Sequence, residues 1–294
     1  MELKDYTIAQ IGGDEREVFL INDLASRGAN ILAVGYEKAR HNIDAKAIYS
    51  LKDLNEKVNA IILPFPGIDT DWNVKAKFTN RKINLKDELN NLEEIPLTIV
   101  GHASQELKTY YEEKNALLIE MGENDEIAIL NSIPTAEGAI SLAIDNTSFT
   151  LDDSPMLVLG FGRCGITLVN KLKSLNADVM VVARRPADLA RAKEMGTKAM
   201  TFDQYRKNEL DEYRLIFNTV PELVIDENIV NRLHQDTVII DIASGKGGVD
   251  FEACNRKQIN AILAKGIPGK YAPKSAANIL AQVYPKILKN YLGR

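Results

Sequence analysis

The sequence predicts an α/β fold, built as two doubly wound parallel-sheet domains with a cleft between them. Three observations carry this. Short apolar runs of strand length alternate with amphipathic helical stretches throughout the 294 residues, the pattern of a parallel sheet with helices on both faces. Each half begins alike, with an apolar strand, a glycine-rich turn, a helix and a second strand. The polar, proline-ended stretch 146–155 interrupts the alternation, which then restarts. The domains are accordingly placed at residues 1–145 and 146–273, with a last helix over about 274–294 returning to the first domain.

Taken in order, "YTIAQI" is the first strand. It runs into Gly12-Gly13 and an amphipathic helix carrying Val18, Leu20, Ile21 and Leu24. "ANILAVG" is a buried strand, "VNAIILPFPG" a strand closed by a Pro-Phe-Pro turn, and "LTIVGHAS" another, ending in glycine. Residues 72–94 are polar and irregular and read as an excursion over the surface. "SIPTAEGAISLAI" reads as a helix from about Pro134, because proline suits a first helical turn. The second half supplies six strands: "MLVLG", "DVMVVA", "KAM", "LIFNTV", "TVIIDIA" and "NAILA". "PKSAANILAQVYPKILKNYL" follows as a helix with Ile279, Leu280, Val283, Ile287 and Leu288 apolar, bent at Pro285.

Hydrophobic residues make up 45% and charged residues 26% of the chain, enough to bury a sizeable core. The net charge of -5 gives no electrostatic support for nucleic-acid binding. No apolar run reaches the roughly 18 residues that span a bilayer, and the N-terminus lacks the basic and apolar regions of a signal peptide. The two cysteines, Cys164 and Cys254, have no ligand-like spacing. A reducing cytoplasm is expected, with neither a disulfide framework nor a metal site.

The most informative stretch is "MLVLGFGRCG". Gly160, Gly162 and Gly165 fit G-x-G-x-x-G after a strand and at the opening of a helix, with a second strand at the expected distance. In a Rossmann-like unit the first glycine permits the turn, the second lets backbone approach a pyrophosphate, and the third packs helix on strand. The helix beginning near Arg163 adds outward N–H groups and a partial positive charge, and the small Cys164 sits inside the loop. The alternative is a glycine turn that only packs. The second strand ends at Arg184-Arg185, where NAD sites place a carboxylate. A guanidinium fork suits a phosphate, so NADP is expected, unless the two arginines are only solvated surface residues. Further strand ends should line the dinucleotide: Asn218, Thr219, Val220 and Pro221; Asp241, Ala243 and Ser244; and the turn containing Pro268. "SGKGG" lacks the ending of a phosphate loop.

Several motifs together resemble one family. They are "IGGDER", "NSIPTAEG", "LGFGRCG" followed by "VVARR", "NTVP", "DIASGKGGVDF" and "GIPGKYAPKSA". Their order and spacing, over essentially the whole chain, are similar to the A subunits of dipicolinate synthase. The resemblance implies NADP-dependent oxidation of a heterocyclic dicarboxylate to dipicolinate, downstream of dihydrodipicolinate synthase. It also implies the cytoplasm of a spore-forming bacterium, in its mother cell, together with a flavoprotein-like B subunit. A homo-oligomer is expected, and no nucleic-acid or membrane partner.

That chemistry needs groups for two carboxylates and a base. Ser132 and Thr135, at the helix start read near Pro134, are candidate carboxylate donors, or mere helix caps. Glu137, read as one turn in, is a candidate base or orienter, or a first-turn acid. Lys274 and Ser275 open the last helix and are candidates for substrate or cofactor. His102 ends a strand and is a candidate base; Arg16, beside Gly12-Gly13, is a candidate carboxylate partner. His41 and His234 read as loop or helix-surface residues. Tyr110 and Lys114 form Y-x-x-x-K but sit among Glu112 and Glu113 on a solvated helix face. Two other readings remain: another two-domain NADP oxidoreductase, of hydroxyacid or methylene-folate type, and a non-catalytic NADP-binding partner subunit.

Overall fold

The computed structural model describes residues 2–40, 42–54, 56–90 and 92–293; His41 lies outside them. Among the described residues the strands are β1 (Thr7–Ile11), β2 (Asn30–Val34), β3 (Lys46–Ile48), β4 (Ala60–Ile62), β5 (Leu97–Val100), β6 (Leu118–Glu120), β7 (Pro155–Leu159), β8 (Asp178–Ala183), β9 (Lys198–Thr201), β10 (Leu215–Asn218), β11 (Val238–Asp241) and β12 (Asn260–Leu263). The helices are α1 (Glu15–Ser26), α2 (Leu85–Leu89), α3 (Gln105–Glu113), α4 (Asp125–Asn146), α5 (Arg163–Ser174), α6 (Pro186–Glu194), α7 (Phe202–Tyr205), α8 (Glu227–Val230), α9 (Phe251–Arg256), α10 (Ile267–Tyr271) and α11 (Pro273–Leu292). The chain divides into two compact units, Met1–Leu130 with Ala272–Arg294, and Asn131–Tyr271.

The first unit holds a six-stranded sheet in the order β3-β2-β1-β4-β5-β6, every pair parallel. Its central strands are buried on both faces, which is why they read as unbroken apolar runs. The edge strands β3 and β6 are three residues each and half-buried or exposed, too weakly apolar to stand out in the sequence. α1 packs Val18, Leu20, Ile21 and Leu24 into the same core as Leu280, Val283, Tyr284 and Leu288 of α11. Residues 72–94 are not a surface excursion: Val74, Ile83, Leu85 and Leu89 are buried in the core on the other sheet face. Leu85 and Leu89 share a face of the one-turn helix α2, too short a run for its periodicity to stand out in the sequence.

The second unit repeats the topology, with strand order β12-β11-β10-β7-β8-β9, again all parallel. Its six strands are the six read from the sequence. In each sheet the order reverses between the first and fourth strands, β1 and β4 in one, β7 and β10 in the other. A reversal of this kind leaves a crevice at the carboxyl ends where ligands bind.

The helix read from Pro134 is longer and starts earlier. Asn124 caps it, its Oδ1 accepting from Ile127 N at 3.1 Å, and Asp125 and Glu126 occupy the first turn. Pro134 lies inside α4, where it offers no N–H to the Leu130 carbonyl. The unit boundary falls there too, between Leu130 and Asn131, and not after residue 145. Beyond it, Ala136, Ala139, Ile140 and Ala143 belong to the second unit's core, while Ile127 belongs to the first. By length and composition alone α4 could cross a membrane; the core contacts account for part of its apolar character, while Ile129, Ile133 and Ile144 are exposed.

Candidate functional site

In the second unit, β7 ends at Leu159 and the chain turns through Gly160, Phe161 and Gly162 into α5. The three motif glycines answer to different constraints. Gly160 has φ +92°, and a Cβ there would lie 2.2 Å from Thr219 Oγ1. A Cβ on Gly165 would lie 2.3 Å from the Gly160 carbonyl oxygen. At Gly162 the backbone is extended, with φ -90°, and a Cβ would meet nothing within 4 Å. The protein's own packing therefore requires glycine at 160 and 165, but not at 162. What Gly162 leaves is room for a ligand's phosphate against backbone. The Ile166 N–H is bonded to the Gly162 carbonyl, so the amides of Cys164 and Gly165 precede the regular helical ladder and point out of a positively polarised end. Burial pushes the Cys164 thiol up, although Arg163 opposes this. The residue is held as a neutral thiol, which disfavours nucleophilic chemistry.

The two arginines after β8 are not equivalent. Arg185 Nε and Nη2 donate to the Asp188 carboxylate at 2.8 and 2.7 Å. Arg184 is exposed and has no side-chain partner among the described residues. Only Arg184 presents an uncommitted fork.

At the ends of β10 and β11 the residues expected to line the cofactor divide into two groups. Asn218 and Asp241 are fully buried and their side chains shape the turns instead. Asn218 Oδ1 accepts from Val220 N at 3.0 Å, and its Nδ2 donates to Val220 O at 2.9 Å and Asp241 Oδ1 at 3.0 Å. Asp241 also accepts from Ala243 N at 3.0 Å and Gly248 N at 2.7 Å. Burial raises its carboxyl above the usual range despite these donors. Ala243 is buried as well. The Thr219 hydroxyl donates to Leu159 O at 2.9 Å. Pro221 and Ser244 are exposed, while Thr219, Val220 and Pro268 are half-buried.

In the first unit the switch point between β1 and β4 carries a buried ionic cluster. Asp14 caps α1, and Glu17 completes a capping box. Arg16 Nε and Nη2 donate to Asp14 at 3.0 and 2.8 Å. Glu17 is 1% exposed and accepts from Asp14 N at 2.7 Å and Phe65 N at 3.2 Å. Burial pushes its carboxyl up to about 7, with Arg16 opposing and Asp14 adding to the rise. Burial also raises the Asp14 carboxyl, but Arg16 outweighs it and holds the group low. Beside this cluster lies a cavity of about 350 Å³ lined by Gly13, Asp14, Pro64, Pro66, Lys75 and Lys77.

Phe65 joins this cluster to His102. Its ring lies 5.6 Å from the Arg16 guanidinium and meets the His102 ring edge-on at 5.3 Å. His102 Nδ1 lies 3.9 Å from Glu120 Oε1, with half the imidazole exposed. Burial raises the Glu120 carboxyl, but the Lys108 ammonium and the Ala103 N–H hold it below the usual range. A Cβ on Gly122 would lie 2.3 Å from His102 Cε1, so glycine makes room for the ring.

Arg16 and His102 thus both meet the Phe65 ring. The structure does not give Ser132, Thr135 and Glu137 the helix terminus expected for them. Ser132 is fully buried, its Oγ 2.6 Å from Thr167 Oγ1 on α5. Thr135 Oγ1 donates to Asn131 O at 2.7 Å, and Glu137 pairs with Lys171 at 2.8 Å on the surface. The reason is Pro134, which sits inside the helix, so no free amides collect there. Lys274 and Ser275 are exposed in the first turn of α11. Glu17, Phe65, Glu120 and Asp188 are not expected from the sequence reading. Only Glu17 has a legible signal, the capping-box spacing from Asp14.

Glu17 makes stability depend on pH. Its folded pKa, about 7, lies above the ordinary carboxyl value of 4.5. The folded state therefore binds more protons than the unfolded chain between these values, and this contribution to stability falls as pH rises from about 4.5 to 7. Melting curves against pH should show wild type losing ground to Glu17→Gln across that window; parallel curves would contradict it.

Two sheets of 3-2-1-4-5-6 order, one opening on a glycine turn with open space at its second glycine, have the form of a dehydrogenase-type protein that binds a nicotinamide dinucleotide. Similarity to known proteins narrows this. Residues 7–121 match the family model for the N-terminal domain of the dipicolinate synthase A subunit, and residues 147–289 match the model "Alanine dehydrogenase/PNT, C-terminal domain". The dipicolinate synthase A subunit of Bacillus subtilis (strain 168) is 35% identical over 285 residues, covering 96% of this chain and 95% of that one. The crystal structure of the dipicolinate synthase A subunit from Bacillus halodurans superposes with a TM-score of 0.92 at 34% identity, covering 98% of this chain and 99% of that one. A transhydrogenase from Sinorhizobium meliloti shares the fold at a TM-score of 0.70 and 13% identity, covering 97% and 94%. The chain belongs to the family of dipicolinate synthase A subunits.

Proposed function

We propose that this protein oxidises a partly reduced heterocyclic dicarboxylate to dipicolinate, using NADP. The observation that carries the reading is the opening at Gly162, which internal packing does not require. The residues fit the group. The turn from Gly160 to Gly165 and the first amides of α5 would hold the pyrophosphate. Arg184 would hold the 2′-phosphate, and Thr219, Val220, Pro221 and Ser244 would line the remainder. When bound, NADP supplies the hydride acceptor that aromatisation of the ring needs.

The chain's own residues do the rest. His102, half-exposed and with the Glu120 carboxylate 3.9 Å from its Nδ1, takes the ring proton. Lys75 lines the first unit's cavity beside the Arg16–Asp14 pair and gives it positive potential, where a carboxylate is favoured. Lys274 and Ser275 are exposed donors available to the second carboxylate. In this reading the chain works in the cytoplasm of a spore-forming cell, as a homo-oligomer, with a flavoprotein-like B subunit.

The test is a spectrophotometric assay of this chain alone and then with the B subunit. NADP and freshly made dihydrodipicolinate-synthase product are supplied, and NADPH and dipicolinate are both followed. Coupled appearance of the two is expected; dipicolinate without NADPH would overturn the proposal. The cofactor choice has its own expected result. Arg184→Ala should weaken NADP binding by about ten- to a hundred-fold, the worth of a charge-assisted contact of roughly 1.5–3 kcal/mol, and leave NAD binding unchanged. Arg185→Ala should do less, since its fork is closed on Asp188. Titration of each variant with both nucleotides decides.

A further inference from the structure

A capping-box glutamate ordinarily sits at the surface and satisfies one amide. Glu17 departs from that in two ways. It is almost fully buried, and its second oxygen accepts from a residue 48 positions away, the Phe65 N–H. The two amides belong to the turns after β1 and β4, the two strands flanking the switch point of the first sheet. Those turns supply Gly13, Asp14, Pro64 and Pro66 to the cavity wall. Phe65, held at its backbone by Glu17, has its ring in contact with both Arg16 and His102.

We propose that Glu17 is a positioning residue: its carboxylate ties the turn after β1 to the turn after β4 and thereby fixes Phe65, and with it the spacing of Arg16 and His102. The catalytic half of this rests on the function proposed above; the tie itself does not. An ionised carboxylate offers acceptors to both amides. A neutral carboxyl places a proton on one oxygen and loses an acceptor there. The longer bond, to Phe65 N at 3.2 Å against 2.7 Å to Asp14 N, gives way first. The groups facing Glu17 are Asp14 and Arg16 at the start of α1, Tyr36 after β2 and Tyr284 on α11. With its carboxyl at about 7, the tie weakens as pH falls through neutrality.

Glu17→Gln separates the tie from the cap, because glutamine serves a capping box but has one acceptor oxygen. Amide hydrogen exchange is read by NMR as protection factors from pH 6 to 8. In wild type, Phe65 protection should fall at least tenfold from pH 8 to pH 6, with Asp14 changing less. In Glu17→Gln, Phe65 protection should be low throughout and Asp14 protection kept. A wild-type Phe65 protection factor independent of pH overturns the tie, and this arm needs no variant to fold.

The catalytic arm uses the reconstituted synthase with NADP and the dihydrodipicolinate-synthase product. Glu17→Gln should lower kcat/KM for the dicarboxylate about tenfold, leave the NADP Kd within twofold, and flatten the acid limb near pH 7. An unchanged acid limb and kcat/KM overturn the positioning role. A wild-type synthase inactive on this substrate overturns the functional reading instead, and exchange alone then decides the tie.

Discussion

Gly162→Val is expected to abolish nicotinamide-nucleotide binding while leaving the fold intact. The valine side chain enters space that the protein's own atoms leave empty, and the backbone at Gly162 is one that any residue adopts. The melting temperature should fall by only about 2–4 °C, because Gly162 is the N-cap of α5 and valine caps poorly. A pyrophosphate, however, must lie against that backbone. Loss of two charge-assisted contacts of roughly 1.5–3 kcal/mol each corresponds to about a hundred- to ten-thousand-fold in affinity. The neighbouring glycines should behave in the opposite way. Gly165→Ala drives a methyl against the Gly160 carbonyl and should destabilise the second unit by about 1–3 kcal/mol. Gly160→Ala adds the strain of a positive φ. Calorimetry beside nucleotide titration checks both halves. Equal binding by Gly162→Val and wild type would place the cofactor elsewhere in the synthase.

His102→Asn should lower kcat by about 10²- to 10⁴-fold, the usual worth of a positioned acid–base group, with NADP affinity and melting temperature nearly unchanged. Half of the imidazole is exposed, so little packing is lost. Glu120→Gln should cost less, because it removes a neighbouring charge and not the base. Steady-state kinetics of both variants against pH would test the assignment. A His102→Asn enzyme with wild-type kcat would remove the histidine from the mechanism.

What the sequence reveals follows from what periodicity can encode. The second sheet is legible because β7, β8, β10 and β11 carry unbroken apolar runs that anchor the alternation on either side. β3 and β6 are not, since edge strands of three residues carry little apolar signal. Pro134 misleads because a proline at the first turn and one inside a helix look alike until the Asn124 cap is weighed against them. At the cofactor turn the motif is readable, but the division of labour among its glycines is not. Whether a Cβ meets an oxygen or empty space depends on Thr219, nearly sixty residues downstream. The same holds for Arg184 and Arg185, alike in the sequence and separated only by Asp188. Phe65 and Glu120 carry no motif at all; they matter because the strand order sets their turns beside His102.

The place of α11 has a consequence for how the chain is made. Its Ile279, Leu280, Ala281, Val283, Tyr284 and Leu288 complete a core whose other buried residues all lie in the first 130 positions. The second unit is contiguous and can close its sheet as soon as it leaves the ribosome. The first cannot. At about 5–20 residues per second, the apolar face of α1 waits roughly ten seconds to a minute for its partner helix to be translated. Over that interval the nascent chain displays Val18, Leu20, Ile21 and Leu24 uncovered, a surface suited to a chaperone. A stop codon ahead of α11 would therefore cripple the end of the protein synthesised first.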